Sequence, residues 1–358
     1  MKSVFDQTKL GGMQLKNRFF RSATNDGYAD ERGHMTAKLS EVYEELAKGG
    51  VGTIITGLTY VTDREQPYPC QMGIYDDSFV REYSELTQKV HKYGANIILQ
   101  LAALGSQTRQ NENKLMWGPS TVKDIAYKTQ PQEMAKEDIH FMQEAFAAAA
   151  LRAKEAGFDG VQMHGAHGYL LNKFLTPYYN RRTDEYGGGI ENRARLILET
   201  YRAIRQKVGN EYPVLIKINC EDFMDEGLTF EECRYVCKKL AGAGISAIEV
   251  SGGSGSSRKD EGAVRKTEGH DPYFAPYAAK IAKEVDVPII SVGGYRGFEE
   301  ITKVLNNSGI EYISLCRPLI RESGLINRWK DGDMRSAECI SCNKCFRRDG
   351  TRCIFNVQ

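Results

Sequence analysis

No apolar run in this 358-residue sequence approaches the roughly 20 residues a membrane helix needs, and the opening MKSVFDQTKLGG lacks the apolar core of a secretory leader. The sequence therefore reads as soluble and cytoplasmic, with no membrane partner expected. Charge of one sign is also missing. With 48 basic and 47 acidic residues the formal net charge is +1, which gives no basic field to hold a nucleic acid. The Gly-rich fingerprint that follows the first strand of a doubly wound dinucleotide fold is absent too, because that stretch reads RSATNDGYAD. Nine cysteines do not imply disulfides in a reducing compartment. Five are scattered, but Cys339, Cys342, Cys345 and Cys353 crowd into one tail.

What the chain does have is a recurrent alternation. Short β-branched runs occur at 18–24, 52–59, 95–101, 159–164, 214–219, 246–251, 288–293 and 311–316. Between them lie stretches with 3.6-residue apolar spacing, such as Phe79–Tyr93, Ile139–Ala156, Asn192–Val208 and Phe230–Ala243. The strands alternate apolar and polar residues poorly, as parallel strands buried on both faces do. Eight such units in a row predict an α/β fold, a closed (β/α)8 TIM barrel. Residues 3–16 predict a hairpin with a Gly-Gly turn that plugs the barrel's N-terminal end. The division expected is a barrel over 1–331 and a short C-terminal cysteine-rich tail over 332–358.

Barrel enzymes work at the C-terminal ends of their strands. The fourth predicted strand ends in MHGAHGYLLNKFLTPYYNRRTDEYGG, which sets His164, His167 and Tyr169 within six residues beside two glycines. Two neutral imidazoles can donate N–H bonds to one carbonyl oxygen and stabilise an enolate as it develops. A neighbouring phenol can supply a proton. That combination suits addition of hydride and a proton across a C=C bond conjugated to a carbonyl. H-x-x-H is also a metal-ligand spacing, although no carboxylate at helical spacing completes a site. A purely structural histidine pair is the third reading.

At this segment the sequence resembles the Old Yellow Enzyme family of FMN barrels, over HGAHGYLLNKFL, NRRTDEYGG and ENRAR, and from LKNRFFRSAT to CRPLI. The resemblance implies non-covalent FMN and transfer of hydride from NADH or NADPH to an α,β-unsaturated carbonyl. His164 and His167 would bind the activating oxygen and Tyr169 would protonate the α-carbon. For FMN phosphate, Gly293 and Gly294 allow close backbone approach, and Arg317 offers a fork for its oxygens. For the ring, Gln100 offers an amide and Lys217 a positive charge near flavin N1, where relatives more often carry arginine. Ala23, Thr24, Asn25 and Gly57 would lie beside the flavin; Asn25 stands where relatives have Thr or Cys, and it also reads as a turn residue. The loop after Gln100 departs from the family pattern, with Ala103 and Ser106 at its His and Arg positions.

The tail ECISCNKCFRRDGTRCIF spaces its thiols as C-x2-C-x2-C and then Cys353, which suits [4Fe–4S] first, then Zn or a metal-free reduced tail. It resembles the cluster segment of the 2,4-dienoyl-CoA reductase and trimethylamine dehydrogenase branch. With the sequence ending at Gln358, no internal electron donor is expected. Arg347, Arg348 and Arg352 form a solvated face or a small docking patch. An amine-dehydrogenase-like reading and an electron carrier working with a partner protein stand as alternatives, and a homo-oligomer is compatible with the sequence.

Overall fold

The computed structural model describes residues 1–358 except Gln66, Gln110, Glu112, Val264, 266–270, Arg348, Val357 and Gln358. A hairpin opens the chain, β1 (Thr8–Leu10) against β2 (Met13–Leu15), turning at Gly11 and Gly12. Eight parallel strands then close into a barrel. They are β3 (Phe19–Arg21), β4 (Thr53–Tyr60), β5 (Asn96–Ala102), β8 (Gly160–Gly165), β9 (Val214–Asn219), β10 (Ala247–Ser251), β11 (Ile289–Val292) and β12 (Tyr312–Leu315). Two short strands, β6 (Trp117–Gly118) and β7 (Gln132–Glu133), pair within the excursion after β5. The predicted α/β barrel is the observed fold.

Each predicted strand lies at its expected place. The first is shorter than its 18–24 run, because the chain turns at Ser22: the Ser22 N–H donates to the Leu315 carbonyl and Thr24 Oγ1 folds back onto the Ser22 carbonyl. Helices run over Phe79–His91, Lys136–Glu155, Arg195–Val208 and Phe230–Gly242. Their ends move by a few residues where caps decide them. Thr229, for example, accepts the Glu232 N–H while the Glu232 carboxylate accepts the Thr229 N–H.

The interior changes character along the strands. At the N-terminal end Leu10, Met13 and Leu15 of the hairpin pack onto Phe20, Ile55, Ile98, Leu215, Ala247, Ile290 and Tyr312, forming an apolar plug. Side chains of a strand return to the same face every second residue. One step further on, Phe20 gives way to Ser22, Ile98 to Gln100, Leu215 to Lys217, Ala247 to Glu249 and Tyr312 to Ser314. An apolar floor thus carries a polar layer, with the catalytic mouth above it. Among the described residues no helix is long and apolar enough to cross a membrane.

Candidate active site

β8 ends in His164 and Gly165, and the chain then turns sharply through His167 and Gly168, both at positive φ (61° and 82°). A histidine in that region needs outside support. The Asn219 side chain accepts the His167 N–H at 3.1 Å, and Asn172 accepts the Gly168 N–H at 2.7 Å. The turn folds the three predicted rings together. His164 and His167 stand 5.3 Å apart between ring centroids, and His164 and Tyr169 4.6 Å.

Burial and charge fix their protonation. His164 is held well below the usual imidazole range by burial, then by His167 and Lys217; burial and Lys217 push His167 down to about 3. Both are neutral at pH 7. His167 Nε2 meets the Ser251 hydroxyl at 2.7 Å, whereas His164 Nδ1 is buried with no hydrogen-bond partner among the described residues. Burial raises the Tyr169 phenol to about 12, so it keeps its proton. Its hydroxyl lies 3.5 Å from that of Tyr68, which meets Tyr127 at 3.0 Å and donates to the Gln107 carbonyl at 2.6 Å.

Beneath the rings lies the polar layer. Lys217 Nζ donates to Ser22 Oγ at 2.8 Å and stands 3.3 Å from Glu249 Oε2, with both charged side chains nearly inaccessible to solvent. Gln100 Nε2 donates to Gln162 Oε1 at 2.7 Å. The positive charge expected at Lys217 is there, and it has a partner that the sequence did not name. A lone buried ammonium is costly, and Glu249 of the neighbouring strand supplies its counter-charge.

Gly293 and Gly294 line a cavity with Ser314, Cys316, Arg317, Ser251 and Phe346. Their φ values are 104° and 90°, and a Cβ on Gly294 would lie 1.9 Å from the Asp271 carbonyl oxygen. Ser314 Oγ is buried there with no hydrogen-bond partner among the described residues. Arg317 faces the same cavity and donates to the Arg265 carbonyl and the Asn343 side chain.

Ala23, Thr24, Asn25 and Gly57 gather at the ends of β3 and β4. A register shift in β4 between Ile55 and Leu58 pushes Gly57 against β3, where a Cβ would lie 2.7 Å from the Thr24 carbonyl oxygen. The Tyr43 hydroxyl pins this junction, accepting the Gly57 N–H and donating to Asp26, both at 2.9 Å. Asn25 gives its backbone carbonyl to the Thr351 hydroxyl of the tail. Ser106, at the departed position of the β5 loop, accepts from buried Lys173, which pairs with Asp124.

All four tail cysteines carry free thiols and line one cavity, which also receives Arg317. Among the described residues, no three His, Cys, Asp or Glu side chains stand close enough to grip a single metal ion. Arg347 and Arg352 pair with Asp349, as a solvated face would, and Arg348 lies outside the described residues. Sequence reasoning missed Tyr68, Tyr127, Ser22, Gln162 and Glu249. For Glu249 a signal was present: a carboxylate inside the apolar run AIEVS, matching the lysine inside VLIKIN.

Comparison with known proteins agrees with this geometry. The family model described as NADH:flavin oxidoreductase / NADH oxidase matches residues 3–335. A NADH oxidase of Thermoanaerobacter brockii is 32% identical over 99% of this chain and 56% of its own length. An NADPH dehydrogenase of Geobacillus sp. (strain WCH70) is 33% identical over 89% of this chain and 91% of its own. The solved structure of a 2-naphthoyl-CoA reductase with 2-naphthoyl-CoA superposes with a TM-score of 0.87 at 25% identity, covering 96% of this chain and 54% of that one. The chain spans about half the length of several curated relatives it matches. Its barrel, its His164–His167–Tyr169 mouth and its match over nearly the whole sequence have one reading: the chain belongs to the NADH:flavin oxidoreductase / NADH oxidase family, the Old Yellow Enzyme barrels.

Proposed function

We propose that the chain binds FMN at the barrel mouth and carries hydride from NADH or NADPH to the C=C bond of an α,β-unsaturated carbonyl. The observation that carries this reading is the mouth itself: two imidazoles kept neutral by burial, one with a ring nitrogen that has no partner among the described residues, beside a phenol that keeps its proton at pH 7. Neutral His164 and His167 donate to the carbonyl oxygen of the substrate and draw electron density from the alkene. Tyr169 donates its proton to the α-carbon. Bound FMN supplies the hydride exchange with the nicotinamide and with the β-carbon.

The chain's own residues fit that cofactor. Among the described residues Ser314 Oγ lacks a partner, in a cavity walled by Gly293, Gly294 and Arg317, which suits phosphate oxygens. Gln100 and Lys217 offer an amide and an ammonium to the pyrimidine edge, while Ala23, Thr24, Asn25 and Gly57 border the ring. For the tail we favour [4Fe–4S] over Zn, since the thiols surround a shared cavity instead of converging on a point. Nine free thiols accord with a reducing, cytoplasmic setting.

Replacing Tyr169 by Phe tests the reading. Alkene reduction should slow by about 10²–10⁴-fold, the usual worth of a positioned acid, while reduction of the flavin by NAD(P)H stays within two-fold. Equal losses in both half-reactions would remove Tyr169 from the assigned role. A second reading, electron exchange with a partner protein through the tail, draws support from Arg317, which lines both the glycine cavity and the cysteine cavity.

A further inference from the structure

The polar layer is ordered around one group. Strand register places Glu249 beside Lys217 and Lys217 beside His164, so a carboxylate, an ammonium and an imidazole form a row across β10, β9 and β8. An ionised carboxylate accepts hydrogen bonds and donates none. Ser22 gives its hydroxyl proton to Glu249 Oε1 at 2.9 Å, which leaves the Ser22 oxygen to accept from Lys217. Gln162 turns its NH2 to Glu249 Oε2 at 2.8 Å, which points its carbonyl at Gln100. Gln100 must then commit its NH2 to Gln162, and its own side-chain oxygen remains an acceptor. The direction of every bond in the chain follows from the acceptor at its end.

We infer that Glu249 is a positioning residue that sets both the charge and the hydrogen-bond polarity of this layer, so that a flavin seated on it meets a neutralised lysine and holds a lower reduction potential. The inference rests on the FMN reading above. A bare ammonium favours the anionic reduced ring; a carboxylate 3.3 Å from that ammonium cancels most of the effect. The side-chain carbonyl of Gln100, an acceptor, matches the imide N–H of the pyrimidine, which is a donor in both redox states.

Glu249→Gln in the FMN-loaded protein tests it, with the midpoint potential read by dye equilibration and the dissociation constant for sulfite as a second readout. The reduction equilibrium should move at least ten-fold toward the reduced flavin, about 30 mV for a two-electron couple, and sulfite should bind at least ten-fold tighter. Values within two-fold of the wild type, or shifts of opposite sign, overturn the inference. Should the glutamine variant not fold, Glu249→Asp, which lengthens the contact to Lys217, should shift both quantities the same way by two-fold or more; no shift there overturns it as well. A wild-type protein unable to hold FMN sinks the function proposed above and this inference together. A flavoprotein with the expected Tyr169→Phe kinetics but an unmoved potential sinks the inference alone.

Discussion

Two imidazoles buried in a neutral state make the mouth pH-sensitive from the stability side. His167 titrates at about 3 in the folded chain against an ordinary value of 6.5, so the unfolded chain binds more protons between those limits. The stability tied to His167 is fully present above pH 6.5 and is lost as pH falls toward 3. Glu65 works in the opposite sense: its buried carboxylate, which accepts the Leu104 and Gly105 N–H groups, is raised to about 7, so it favours the folded state as pH falls from 7 toward 4.5. A comparison with His167→Asn separates the two. Between pH 6.5 and 4 the wild type should lose about 1.4 kcal/mol per pH unit more than the variant in urea unfolding; parallel profiles would mean that His167 ionises in the fold. The histidines and Tyr169 were legible because they fall within one six-residue motif. Tyr68 was not, since it approaches Tyr169 from a loop 101 residues away that carries no pattern of its own.

At the level of strands and turns, the barrel's two-residue alternation separates floor from site. The apolar runs revealed every barrel strand, because burial on both faces leaves a contiguous β-branched signature. Their ends were less legible, being set by tertiary bonds such as Ser22 to Leu315. The partner of Lys217 had left a signal in AIEVS, but the pairing itself depends on the register of β10 against β9, which no local spacing encodes. The glycine turn after β11 gives a sharper test. Gly294 has φ of 90° and no room for a Cβ, since Asp271 contributes a backbone oxygen 1.9 Å from where it would lie. Left-handed backbone costs an L-residue roughly 1–2 kcal/mol, and here the loop backbone at Asp271 and Pro272 must also move. Gly294→Ala should therefore weaken FMN binding at least ten-fold, read by recovery of free-flavin fluorescence, while far-UV circular dichroism stays unchanged. Retention of FMN at wild-type affinity would detach this turn from the phosphate.

Over the whole molecule, the tail is fastened across the barrel's working end. The Thr351 hydroxyl and N–H donate to the carbonyls of Asn25 and Asp26 at 2.7 Å, Arg296 donates to the Cys339 carbonyl, and Arg317 to Asn343. Gly350 runs so close to Tyr28 that a Cβ would enter the phenol ring. The cysteine spacing was readable from sequence, but this docking was not, because Gly350 and Thr351 meet Asn25, Asp26 and Tyr28 from more than 300 positions away. It brings the thiol cavity to Arg317, which also lines the glycine cavity. If the thiols hold a [4Fe–4S] cluster, loss of one ligand should remove it without emptying the flavin site, because the barrel's polar layer and glycine turn are built from other strands. Cys342→Ala, purified without oxygen, should lose the broad brown absorbance and the matched iron and acid-labile sulfide while keeping the flavin peaks. Undiminished iron in that variant, or zinc in place of iron in the wild type, would refute the cluster and return the tail to a structural clasp over the cofactor's phosphate end.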